Sequence, residues 1–67
     1  MGRDYEILRR KILGNYGNLA QFAQELGITP STLSLKLQGR TDWRRAEIEL
    51  CIELLELTPE EVTAIFF

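Results

Sequence analysis

The sequence predicts an all-α domain of five short helices, and three observations carry that reading. No run of alternating β-branched residues is present to make a strand. Apolar residues recur at three- and four-residue spacing instead, the period of one helix face. Two Thr-Pro pairs, Thr29-Pro30 and Thr58-Pro59, stand where helices would begin, and glycines stand where they would stop. The 67 residues make one domain, 1–67, 45% apolar. A chain of this size buries about 60% of the surface that it exposes when unfolded.

Asp4 is the candidate cap of a first helix of two to three turns, with Tyr5, Leu8 and Ile12 on its inner face and Arg9, Arg10 and Lys11 solvated. The stretch "GNYGN" is expected to end it. Asn18 then caps a second helix, Leu19 to Leu26, which turns Leu19, Phe22, Ala23 and Leu26 inward, with Tyr16 placed to staple its start. Gly27 supplies the left-handed residue that stops it. Thr29 and Pro30 open a third helix reaching Gln38, and Gly39 closes it. After the loop "RTDW", in which Trp43 is the apolar lead-in, a fourth helix runs from about Arg44 to Leu55. In "TPEE", Thr58 and Glu61 form a capping box that starts a fifth, from Pro59 to about Phe66.

Composition removes several function classes. There is no histidine and one cysteine, Cys51. An internal disulfide, a soft-ligand metal site and Ser-His or Cys-His catalysis are therefore not expected, nor is any cofactor. An enzyme is not the expected function. The longest apolar runs are "LCI" and "AIFF", too short to span a bilayer, and "MGRDYEILRRK" lacks the apolar centre of a signal peptide. A cytoplasmic protein without a membrane partner is expected.

The net charge is −2, yet its distribution matters more than its sum. Residues 1–46 hold all eight Lys and Arg against Asp4, Glu6, Glu25 and Asp42, whereas residues 47–67 hold six Glu and no base. The two halves suit different surroundings.

The second and third helices are joined by only "GIT", a length that suits two short helices crossing steeply, as in a helix-turn-helix over residues 19–38. Ala23 is small where the helices cross, Gly27 supplies the turn, and Phe22, Leu26, Ile28 and Leu33 lock the pair. At these residues "NLAQFAQELGITPSTLSLKLQG" resembles the helix-turn-helix of the lambda-repressor and Cro-like (XRE-type) family. The five-helix layout, with "LLELTPEEV" joining the last two helices, extends the resemblance over nearly the whole chain, and small prophage repressors of Gram-positive bacteria look most similar. Members commonly place glutamine where this chain has Leu19 and Pro30. Lys36 stands at a position often apolar in the family, with Leu37 expected to take over its core role.

The resemblance implies a double-stranded DNA partner, with the third helix in the major groove. Leu35 falls on the face away from Leu33 and Leu37, beside Ser31 and Thr32. A leucine there can meet the C5-methyl group of thymine, and Thr29, Ser31, Thr32 and Ser34 can bond several base edges. The alternative is that Leu35 is one isolated exposed apolar residue, which surfaces tolerate. The phosphate-binding candidates are Asn18, at the start of the second helix, and Lys36, Arg40, Arg44 and Arg45 around the third.

On the fourth helix Ile48, Cys51, Ile52 and Leu55 form one apolar stripe, and Leu50 and Leu54, continued by Leu57, form a second. Two such stripes suit a helix sandwiched in the fold or shared with another chain. Ile65, Phe66 and Phe67 make full internal burial of the last residues difficult, and the family commonly pairs through its C-terminal helices. The expectation is a homodimer with Leu54, Ile65, Phe66 and Phe67 as contacts. It would present two third helices about 34 Å apart to a near-palindromic site. The expected function is a Cro-like repressor; the alternative is an antitoxin-like interaction module whose acidic half meets a basic partner and whose DNA binding is autoregulatory.

Overall fold

The computed structural model describes residues 4–67. In order the helices are α1 (Tyr5–Tyr16), α2 (Leu19–Leu26), α3 (Pro30–Leu37), α4 (Arg45–Leu55) and α5 (Pro59–Phe66), and there is no strand among the described residues. The all-α expectation of five helices holds. The radius of gyration is 10.6 Å, against about 11 Å for a folded domain of this length.

One boundary differs from the sequence reading. α1 continues through Gly14, Asn15 and Tyr16 and stops at Gly17, whose φ of 84° puts it in the left-handed region. A glycine within a helix costs only about 1 kcal/mol relative to alanine. Extending the helix places Tyr16 edge-on to Phe22, with ring centroids 5.1 Å apart, so packing outweighs the propensity of Gly14. Asp4 caps α1 without a side-chain hydrogen bond; its N–H instead donates to the carbonyl of Ala64 at 2.8 Å, joining the start of α1 to α5.

The remaining signals act as their chemistry dictates. Asn18 Oδ1 accepts the Gln21 N–H at 2.9 Å, and Gly27 (φ 77°) ends α2 while the Ile28 N–H closes back on the Ala23 carbonyl. Thr29 Oγ1 accepts the Thr32 N–H at the start of α3. Gln38 is the last cap of α3, and the Arg40 N–H returns to the Leu35 carbonyl beyond Gly39. The Thr58 N–H donates to Glu61 Oε1 while the Glu61 N–H donates to Thr58 Oγ1, the reciprocal box expected there.

The core is Leu8 and Ile12 of α1, Phe22, Ala23 and Leu26 of α2, Leu33 of α3, Cys51 and Leu55 of α4, then Leu57, Ile65 and Phe66. α1 packs against all four other helices. Burial pushes the Cys51 thiol up to about 12, with the charge of Glu47 adding to the effect, so the thiol stays protonated. Leu50, Leu54, Ile48 and Ile52 are half-buried against this core, which puts both apolar stripes of α4 to use within the fold.

The expectation that Ile65 and Phe66 are free for a second chain is overturned. Ile65 is fully buried and Phe66 is 8% exposed, whereas Phe67 is 74% exposed. The three residues occupy successive angles around the helix end, so they do not share one environment. No helix among the described residues is long and apolar enough to cross a membrane.

Candidate nucleic-acid interface

α2 and α3 are eight residues each and are joined through Gly27, Ile28 and Thr29. Ala23 at their junction is fully buried, as are Phe22 and Leu33, while Ile28 packs from the turn against the same cluster. Leu33 anchors α3 inward. The residues to either side of it therefore face outward: Ser31 is exposed, Leu35 is 40% exposed, and Thr32 and Ser34 are half-buried. This face carries no formal charge.

Two of its hydroxyls have local duties. The Thr29 hydroxyl donates to Thr32 Oγ1 at 2.9 Å while accepting the Thr32 N–H, so it closes the first turn of α3. Ser34 Oγ accepts from the amide of Gln38 at 3.2 Å.

Arg40, Arg44 and Arg45 are all exposed. Arg45 lies 3.3 Å from Glu49 one turn along α4; at such exposure the pair is loose enough to exchange for another acceptor. Asn18 is exposed as well; its carbonyl oxygen is committed to the helix cap, which leaves its amide hydrogens as the groups able to meet an anion.

Lys36 departs from the phosphate role expected of it. The residue is 3% exposed, and its Nζ lies 2.9 Å from Glu47 Oε1 and donates to the Asp42 carbonyl at 2.7 Å. Standing three residues after Leu33, it shares the inward side of α3, and of the expected phosphate-binding bases only Arg40, Arg44 and Arg45 are exposed. Leu37, expected to take over the core role, is half-buried and packs against the core.

Glu47, its partner, was not singled out by the sequence reading. Burial pushes the Glu47 carboxyl up, but the Arg44 N–H, which donates to it at 2.9 Å, and the neighbouring Lys36 outweigh burial and hold it below the usual carboxylate range. A legible signal was there: a glutamate in the first turn of α4, three residues after its cap, is placed to accept the cap N–H.

Trp43 packs beneath this pair as the expected lead-in to α4. Its ring is 5.4 Å from Phe66 and 6.3 Å from Tyr5, and the ammonium of Lys36 lies 5.7 Å from the Trp43 ring centroid. On α1, Lys11 is not a free solvated charge: it reaches Glu61 of α5 at 2.8 Å. Arg9 and Arg10 are exposed.

The model of a protein family described as "Protein of unknown function (DUF739)" matches residues 1–67. The chain belongs to that family. No curated protein matches it. In this DUF739 chain the outward side of α3 offers small hydroxyls and one leucine; Arg40 follows α3 in the chain, Arg44 lines one surface cavity with Thr32, and Arg45 opens α4.

Proposed function

We propose that this DUF739 chain is a sequence-specific, double-stranded DNA-binding transcriptional regulator of the lambda-repressor and Cro-like type, acting on the nucleoid in the bacterial cytoplasm. α3 enters the major groove. Leu35 meets thymine methyl groups, Ser31 and Thr32 bond base edges, and Asn18, Arg40, Arg44 and Arg45 hold phosphates. Repression follows from occupying an operator and excluding polymerase, without chemistry or a cofactor.

The observation that carries this reading is the 40% exposure of Leu35 on an otherwise small and uncharged helix face, with Arg44 lining a surface cavity beside Thr32. Leu13 on α1 is as exposed, at 41%; what sets Leu35 apart is its place beside Ser31 on the outward side of α3, where a groove would bring thymine methyl groups against it. The protein acts as a homodimer. With Ile65 and Phe66 in the core, the contacts left for the interface are Phe67 and the half-buried Leu54.

The test is selection of duplexes from a random pool by the purified protein, followed by titration of the winners at two salt concentrations. A near-palindromic, thymine-bearing consensus is the expected result. Binding that enriches no sequence and vanishes as salt rises would leave only an electrostatic attraction. That result would favour the antitoxin-like reading, for which the exposed Glu49, Glu53, Glu56 and Glu60 are the relevant surface.

A further inference from the structure

We infer that Lys36 and Glu47 are positioning residues for DNA discrimination: their buried ion pair fixes the rotation of α3 about its own axis, and with it the bases that Leu35 and Ser31 reach. The inference rests on the DNA-binding reading above.

Two kinds of anchor hold α3. Leu33 is fully buried, but apolar burial is non-directional, so Leu33 holds α3 inward by the fit of its neighbours and not along a bond axis. Lys36 is directional. Its side chain is 4% exposed, and its ammonium donates to a carboxylate oxygen at 2.9 Å and to a backbone carbonyl at 2.7 Å. The same Glu47 oxygen accepts the Arg44 N–H at 2.9 Å, so the lysine is bonded to the first turn of α4 and to the loop before it, not to a mobile side chain. On α3 the lysine is three residues from Leu33, about 60° around the axis and about 4.5 Å along it. Two anchors so separated define an angle that one cannot.

Small rotations matter here. Side-chain tips lie about 5–6 Å from a helix axis, so a turn of 10° moves them by about 1 Å. Hydrogen-bond distances span only about 0.5 Å, and methyl contacts are similarly short-ranged. A slack α3 would therefore still bind phosphates through Arg40, Arg44 and Arg45 while losing its distinction between bases. Replacing a buried pair as a unit by apolar residues of similar volume is often neutral for stability, which makes the effect on discrimination separable from folding.

The variant to make is Lys36→Met/Glu47→Gln, which keeps the side-chain volumes and the acceptor for the Arg44 N–H. Lys36→Met/Glu47→Leu is the second choice should the first not fold by circular dichroism. The readout is the ratio of affinities for a duplex selected by the wild-type protein and for its scrambled counterpart, at one salt concentration and a temperature where both proteins are fully folded. The inference expects the ratio to fall at least fivefold, with the scrambled-duplex affinity within twofold of wild type. A smaller fall means that the pair is structural only and overturns the inference while leaving the DNA-binding reading intact. A wild-type protein that selects no duplex removes both.

Discussion

Leu35 is a leucine turned to solvent and Glu56 a non-glycine residue in the left-handed region, two departures with different causes. Leu35 is exposed for contact with DNA in the proposed function, so Leu35→Ala should leave thermal stability nearly unchanged, as surface truncations do. Its discrimination against thymine-to-cytosine changes in a selected duplex should fall by roughly fivefold, the low end, about 1 kcal/mol, of what one base contact contributes. Unchanged discrimination in a competition titration would return Leu35 to the class of incidental exposed leucines. Glu56, by contrast, ends α4 at φ 51°, the one non-glycine residue with positive φ among the described residues. A side chain in that region costs about 1–2 kcal/mol, and glycine gives back part of the gain through its greater freedom when unfolded. Glu56→Gly should therefore raise stability by about 0.5–1 kcal/mol in urea unfolding; a loss would mean that the glutamate makes a compensating contact.

At the scale of elements, the signals that were legible in the sequence are those that act within one turn. Asn18, Thr29 and Thr58 bond N–H groups three residues ahead, and Gly27 and Gly39 occupy the left-handed positions, because these caps answer to local chemistry, whereas Asp4 makes no side-chain cap bond and is tied to α5. Gly14 misled because tertiary packing of Tyr16 against Phe22 carried α1 past it, and Lys36 misled because its partner, Glu47, is eleven residues away on another helix. Neither fact has a local signature. The outward face of α3 was legible from periodicity; which of its hydroxyls are already occupied was not. The glutamates that join elements also set the response to acid. Glu47 is lowered because the Arg44 N–H and Lys36 outweigh burial, and Glu61 is lowered chiefly by its bond to Lys11 and then by the Thr58 N–H. A carboxyl with a lower pKa folded than unfolded contributes stability that is complete above its unfolded value of 4.5 and is lost as pH falls through the folded value. The urea midpoint should thus be flat above about pH 5.5 and drop below pH 4.5. The drop should be shallower in Lys36→Met/Glu47→Gln, and an equally steep one would place the acid sensitivity elsewhere.

For the whole molecule, the two neighbouring phenylalanines offer a way to separate folding from assembly. Phe66 is 8% exposed and touches the rings of Tyr5 and Trp43, while Phe67 is 74% exposed. Truncating a buried phenylalanine costs about 3–5 kcal/mol, so Phe66→Ala should unfold at far lower urea, whatever its oligomeric state. Phe67→Ala removes nothing from the core and should unfold near the wild-type midpoint under conditions where both are monomeric. In a two-fold dimer each substitution enters twice. With about 1.5 kcal/mol lost per truncated side chain, the pair loses about 3 kcal/mol, or roughly a hundredfold in dimer dissociation constant. Sedimentation equilibrium over a wide concentration range measures that constant directly. A wild-type protein that stays monomeric on a selected palindromic duplex would remove the homodimer, and a Phe67→Ala protein that dimerises as tightly as wild type would place the interface away from Phe67. Ile65 and Phe66, already committed to the core, would not take its place.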